Sequence, residues 1–381
     1  MLVLACSSIA FAQILPVTPP DSAAKAAALG PPLAGAVTQT VPFASGSQWH
    51  LTVNAIQKYG LVITGASFQK SPTSPFIYVL FDGRLAEIFV PYHDGIFRFH
   101  DISGFNFEPV TLNPANFPPP REIIGGKICR QMRDYLAWTD YTVTPPRVRN
   151  GQEVVYFSVL GAGNYQYIME WTFRDDGVIQ VRAGSTGPKI ECSGGGCQPG
   201  RETKGHMHNF TWRLDIDLNG AGGDSAYLTN HVENFDFTPP AEGSTARDTR
   251  NLISVEGSRV WSPGHFNTLV IEDSTLKNGN NRATSYELVP LRSGTARHTE
   301  PFTKEDFWVT RYRPAEILAV NLPEYIRNPQ STENQDIVVW YTGSEHHEKN
   351  SRDEDRNTVP ILWTGFELIP NNLFDGTPFY R

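Results

Sequence analysis

Residues 205–210 read GHMHNF, and the chain continues TWRLDIDLNG. Sorted by parity, His206, His208, Phe210, Trp212, Leu214 and Ile216 share one face, and Met207, Asn209, Thr211, Arg213, Asp215 and Asp217 share the other. A period of two is that of a strand, here with one apolar face, and both imidazoles point into that face. Neutral imidazoles held side by side on a buried surface are suited to share a metal; a hydrogen-bonded pair near a strand end is the plainer alternative. A third ligand would decide. His346 and His347 stand just beyond the run DIVVWYT. Three imidazoles from two strands, with open positions left over, suit a redox copper. The alternative for EHHEKNSRDED is a solvated, charged loop.

Such a cluster needs a rigid frame, and the rest of the chain reads as strands. Short β-type runs recur between Gly, Pro, Asn and Asp: WHLTVNAI, GLVITGASF, FIYVLF, LAEIFVPY, EVVYFSVL, QYIMEWTF, GVIQVRAG, DFWVTRYR, DIVVWYT and TGFELI. Asp82-Gly83 and Asp176-Gly177 read as hairpin turns between such runs. A weak helical pattern appears only near PAEILAV (314–320), and no internal repeat is visible. Many strands without crossover helices predict an all-β fold, a large antiparallel sandwich.

With 381 residues, 19% charged and 12% aromatic, the chain is globular and long enough for a large core. Its net charge is −8 without a basic block, which argues against nucleic acid or an anionic membrane as partner. No run reaches the roughly 18 apolar residues of a membrane span. MLVLACSSIAFAQ carries the cleavage pattern Ala10-Phe11-Ala12, so residues 1–12 read as a shortened signal peptide, with Cys6 as a lipobox cysteine the alternative. That implies a secreted, periplasmic or extracellular protein. Residues 13–41, rich in Pro, Ala and Gly, read as a linker, and 42–381 as the β domain. Cys192 and Cys197 bracket SGGG and read as a small disulfide; a zinc half-site is the rival, without a second half to match it. Cys129 has no evident partner.

Six segments then carry a resemblance: LAEIFVPY (85–92), GNYQY (163–167), HMHNFTWRLDID (206–217), FWVTRYRPAE (307–316), DIVVWYTGSEHH (336–347) and GFELIPNNLFDGTP (365–378). In that order they resemble the catalytic domain of the copper-containing amine oxidases, the topaquinone enzymes, from about residue 49 to 378. The resemblance implies the family's supersandwich fold and a homodimer. It implies that a primary amine and O2 give an aldehyde, ammonia and hydrogen peroxide. It makes Tyr165, which follows Asn164, the precursor of topaquinone, with Gln166 in place of the usual acid. The copper(II) ligands carried over are His206, His208 and His347; His347 is preferred to His346 because it stands seven residues after Trp340. Tyr92 matches the tyrosine that hydrogen-bonds the quinone oxygen.

Asp101, in FRFHDISGF, matches the base, although it has one extra residue before Ser103-Gly104; Asp94 is the alternative. Phe99 would lie near the substrate entrance. A second, calcium-type site is implied at Asp215, Asp217 and Asp336, with the carbonyls of Ile216 and Ile337. Asp215 and Asp217 lie nine and eleven residues past His206. At about 3.3 Å per residue that is roughly 30 Å or more, too far for copper. The family's small α/β domains are not recognisable, and several inter-strand segments are short, which bears on substrate access and dimerisation. Two other readings compete: a copper-binding member of the same family without turnover, and a carbohydrate-binding β-sandwich.

Overall fold

The alternating runs pair antiparallel throughout and build two large sheets, seen in a computed structural model that describes residues 15–29, 34–93, 95, 97–163, 165–187, 190–192, 197–199, 205–236, 243–291, 299–347 and 360–376. Numbered along the chain, the first sheet runs β1 (Val37–Pro42), β2 (Gln48–Ile56), β3 (Gly60–Gln69), β4 (Phe76–Pro91), β13 (His206–Asp215), β20 (Ile337–His347), β19 (Phe307–Arg311) and β16 (Gly257–Arg259). A short β5 (Arg98–His100) pairs with the end of β4. The second runs β15 (Gly243–Leu252), β14 (Asp224–Asp236), β17 (Leu269–Lys277), β18 (Ala283–Leu291), β21 (Leu362–Asn371), β10 (Ile179–Thr186), β9 (Tyr165–Arg174), β8 (Arg147–Ala162), β7 (Ile128–Asp140) and β6 (Arg121–Ile124). β11 (Ile190–Cys192) and β12 (Cys197–Pro199) form a separate ribbon. The expected all-β sandwich is what forms.

The sheets stack through their apolar faces, and large aromatics fill the layer between them. Trp212 of β13 lies edge-on to Phe366 of β21, with ring centroids 5.3 Å apart. Tyr165, Tyr167, Met169, Trp171 and Phe173 of β9, alternate residues of one strand, all enter this core. The period of two in the sequence is therefore the period of the inter-sheet face.

Three expectations are corrected and one is borne out. Asp82-Gly83 is not a turn, because β4 runs unbroken through it. A Cβ at Gly83 would lie 2.4 Å from Trp171 Cη2, so this glycine gives the indole room. Asp176-Gly177 is a turn: Gly177 has φ +88°, and the Arg174 N–H donates to Val178 O at 2.9 Å. The segment read as a linker holds a helix, α1 (Pro20–Leu29), as well as β1. The weak helical pattern at 314–320 is displaced along the chain, to a 3-10 turn at Ala319–Asn321 and a one-turn helix, α2 (Leu322–Tyr325).

That segment matters for β13. Its Ala319 and Leu322 pack with Ala86, Phe89, Trp308, Val338 and Trp340 in a second core on the outer face of the first sheet. The face of β13 that reads as polar is therefore covered, and its polar groups are paired. Asn209 donates to Phe89 O and accepts from Ser344; Thr211 bonds Thr342; Arg213 pairs with Asp82.

Among the described residues no helix is long and apolar enough to cross a membrane. Cys129 is buried and free. Cys192 and Cys197 are direct cross-strand partners, while their side chains, like residues 1–12, lie outside what is described.

Candidate active site

Register selects the third histidine. β13 and β20 pair so that His206 lies opposite His347, and His208 opposite Glu345. Residues directly opposite one another point to the same face, so His347 joins the inward pair. His346 points the other way, is exposed, and stacks on His93 at 5.0 Å between ring centroids. The inward rings lie 4.7 Å (His206–His208), 5.0 Å (His206–His347) and 6.5 Å (His208–His347) apart. All three are buried.

The opposing sheet supplies Tyr165, the first residue of β9, just after the turn at Gly163 (φ +65°). Its hydroxyl lies 3.1 Å from His206 Nε2 and 2.8 Å from His347 Nδ1, and its ring centroid 5.1 Å from that of His208. His208 Nε2 is buried and has no hydrogen-bond partner among the described residues. Buried polar atoms are rarely left unpaired. Two nitrogens at one phenol oxygen, and a third buried imidazole nitrogen left unpaired beside them, make a donor set that fits a copper ion held by His206, His208 and His347. Gln166, the departure from the family acid, is exposed on the far side of β9 and does not reach the cluster.

Glu345, which sequence reasoning passed over, completes this cluster. Its Oε1 lies 3.0 Å from His208 Nδ1, and Ser185, whose Oγ is 3.3 Å from the same nitrogen, bonds the carboxylate. A carboxylate on Nδ1 leaves Nε2 as the lone-pair nitrogen and orients the ring. The signal was in the sequence: Glu345 and His347 share parity.

Tyr92, buried at the end of β4, forms an isolated bridge with His206 and stacks on its ring at 4.5 Å and 23°. Half-buried Phe99 meets Tyr92 edge-on at 5.9 Å and stacks on Phe97 at 6.2 Å. These rings form an aromatic wall beside the cluster. Asn164 and Asp94 lie outside the described residues.

Asp101 is buried in the turn after β5 and accepts a hydrogen bond from Tyr167, whose ring stacks 6.3 Å from Tyr165. Burial pushes its carboxyl up to about 6, against the opposing effects of the Tyr167 bond and of His208. Burial and this carboxylate together hold the Tyr167 phenol well above its usual range, so it remains a donor. Glu87, fully buried on β4, pins the turn. Its Oε1 accepts from the N–H groups of Ile88 and Ile102 at 2.9 Å each, and Ser103 N–H lies 3.3 Å from Oε2. Sequence reasoning missed it as well.

At the far end of β13, Asp215, Asp217 and Asp336 do converge, and Asp215 and Asp217 are fully buried. The point between them holds the Lys25 ammonium, 2.7 Å from Asp215 Oδ1, 3.0 Å from Asp217 Oδ1 and 2.9 Å from Asp336 Oδ1. Burial alone would lower Lys25; the three carboxylates outweigh it and keep the ammonium charged. Ile216 and Ile337 are buried beside these carboxylates. With a lysine already seated there, the cluster does not fit a resident calcium.

Two facing sheets of an all-β fold thus set a buried phenol among three imidazoles. A family model, the enzyme domain of copper amine oxidase, matches residues 134–381, and the chain belongs to that family. It is 26% identical over 402 residues to an Arabidopsis thaliana protein named "Amine oxidase [copper-containing] alpha 2, peroxisomal", covering 88% of this chain and 59% of that one. It is 27% identical over 307 residues to the histamine oxidase of Arthrobacter globiformis, covering 69% and 42% of the two. The chain thus spans about three-fifths of the length of the first of these relatives. The fold matches that of a copper-containing benzylamine oxidase from Hansenula polymorpha, with TM-score 0.72 and 19% identity over 89% of this chain and 62% of the other.

Proposed function

We propose that this protein is a copper-dependent primary-amine oxidase, taking an amine, water and O2 to an aldehyde, ammonia and hydrogen peroxide. The observation that carries the reading is the Tyr165 hydroxyl, within hydrogen-bond reach of His206 Nε2 and His347 Nδ1 and beside the unpaired Nε2 of His208. When bound, copper(II) with oxygen supplies the oxidising chemistry that converts a phenol to topaquinone, and the quinone supplies the electrophilic carbonyl that amine oxidation requires.

The chain's own residues do the rest. His206, His208 and His347 hold the metal, and Glu345 orients His208. Tyr92, Phe97 and Phe99 exclude water on one side and offer an apolar surface to the amine's carbon chain. Asp101 removes the proton from the amine's α-carbon. A carboxyl at about 6 is ionised at neutral pH yet more basic than an exposed aspartate, as a general base should be. Tyr167 holds the carboxylate in place, and Glu87 holds the turn that carries it. The Ala10-Phe11-Ala12 pattern supports an extracytoplasmic location.

The test is reconstitution. Protein made without copper should be colourless and inactive. Added Cu(II) in air should give a visible chromophore, a phenylhydrazine-reactive carbonyl and amine-dependent peroxide. Tyr165→Phe should bind copper and do none of these, while His206→Ala should lose copper. Copper-loaded wild-type protein that stays colourless in air, with Tyr165 unmodified by mass spectrometry, would leave only the copper-binding reading.

A further inference from the structure

We propose that Lys25 is the built-in cation of the carboxylate site at the far end of β13, and that α1, by carrying it, takes the place of a divalent metal ion. The inference is independent of the redox reading. It rests on how completely the site is built around an ammonium. The three carboxylate oxygens lie 2.7–3.0 Å from Nζ, as N–H···O bonds do. Two aromatic faces also flank the ammonium: Nζ lies 3.8 Å from the centroid of Tyr312 and 4.5 Å from that of Phe81. A ring face attracts an ammonium through its quadrupole. Calcium instead takes six to eight oxygen ligands, and two of its directions here would meet carbon.

The helix is docked to deliver this group. Asp21, Ser22 and Lys25 lie on one face of α1, at spacings that bring them together. The Asp21 carboxylate accepts from the N–H groups of Ala221 and Gly222 at 2.9 and 3.3 Å, just beyond the acidic end of β13. A Cβ at Gly220 would lie 2.9 Å from both Asp21 oxygens, so that loop is shaped to admit the carboxylate. Ser22 donates from Oγ to Asp217 Oδ2 at 2.9 Å and is fully buried. Lys25 and Ser22 thus bond the same aspartate through its two oxygens. A divalent ion and the docked helix would compete for one position, and the tethered ammonium is always present at high local concentration.

Three consequences are measurable. The melting temperature of wild-type protein should be the same in excess calcium and in excess EGTA. Terbium(III), a calcium surrogate that Tyr312 would sensitise at this distance, should show no bound luminescence. Lys25→Ala leaves three carboxylates without their cation, so in EGTA its Tm should fall by at least about 5 °C. Calcium should recover much of that loss through linkage, and terbium should now bind. Should Lys25→Ala fail to fold, Lys25→Met retains the stem and makes the same comparison. The proposal is overturned if calcium raises the wild-type Tm by several degrees, if terbium binds wild type as tightly as it binds the variant, or if removing the ammonium leaves Tm unchanged in EGTA.

Discussion

Removing the Tyr167 hydroxyl should move the pH profile without abolishing the chemistry. The Asp101 carboxyl stands at about 6, raised by burial and held from rising further by the hydrogen bond from Tyr167. A bond to a charged acceptor contributes about 1.5–3 kcal/mol. At 1.36 kcal/mol per unit, losing it in Tyr167→Phe should raise the carboxyl by roughly 1–2 units, towards about 7–8. The sign follows from the role. A base must be empty of its proton, so activity is lost as pH falls through the carboxyl's pKa, and a higher pKa moves that loss to higher pH. At pH 6 about half of the wild-type carboxyls are ionised, against roughly one in ten to one in a hundred in the variant. The ratio of variant to wild-type kcat/KM at pH 6 should therefore be about 0.02–0.2 and should recover towards unity as pH rises past about 8. Taking the ratio cancels the ionisation of the amine itself. Steady-state peroxide release across the range is the assay, with quinone titrated by phenylhydrazine in each sample. An unmoved acid limb, or a loss that is equal at every pH, would refute the assignment of Asp101 as the base held by Tyr167.

The remaining expectations are simpler. Asp101→Asn should still acquire the chromophore and bind phenylhydrazine, but turn over at least about 100-fold more slowly in steady-state assays. Glu345→Gln keeps the size of the group but weakens its hold on His208 Nδ1; copper affinity measured by competition with a chelator should fall roughly 10–100-fold, with the chromophore forming more slowly.

What the sequence revealed and what it hid differ for physical reasons. The inward pair His206 and His208 was legible from parity, because a strand's period of two puts alternate residues on one face whatever surrounds it. Tyr165 and His347 came from resemblance, and register then gives the geometric reason for His347: opposite residues share a face, and His346 falls on the other. Asp82-Gly83 misled because a glycine in a turn and a glycine making room for Trp171 look the same in one dimension. Lys25 was hidden more deeply. PDSAAKAAAL carries no local sign that its lysine meets partners 190 to 311 positions away, and a helix rich in alanine resembles a linker in composition.

The polar face of β13 is buried for a reason that explains how the site is held. Alternation implies water only when nothing covers the second face. Here the segment of α2 covers the outer side of the first sheet, so Asn209, Thr211 and Arg213 must find partners within the protein. They find them on the two flanking strands and their side chains: Asn209 with Phe89 O and Ser344, Thr211 with Thr342, Arg213 with Asp82. Each pair specifies register as well as satisfying a buried group, since a slip of one residue would leave it unpaired and would also turn both imidazoles out of the core. The imidazole cluster at one end of β13 and the ammonium site at the other are therefore positioned by the same ladder. A substitution at Thr211 or Asn209, which touches neither site, should disturb the alignment of His206 with His347 before it disturbs the apolar packing of the core.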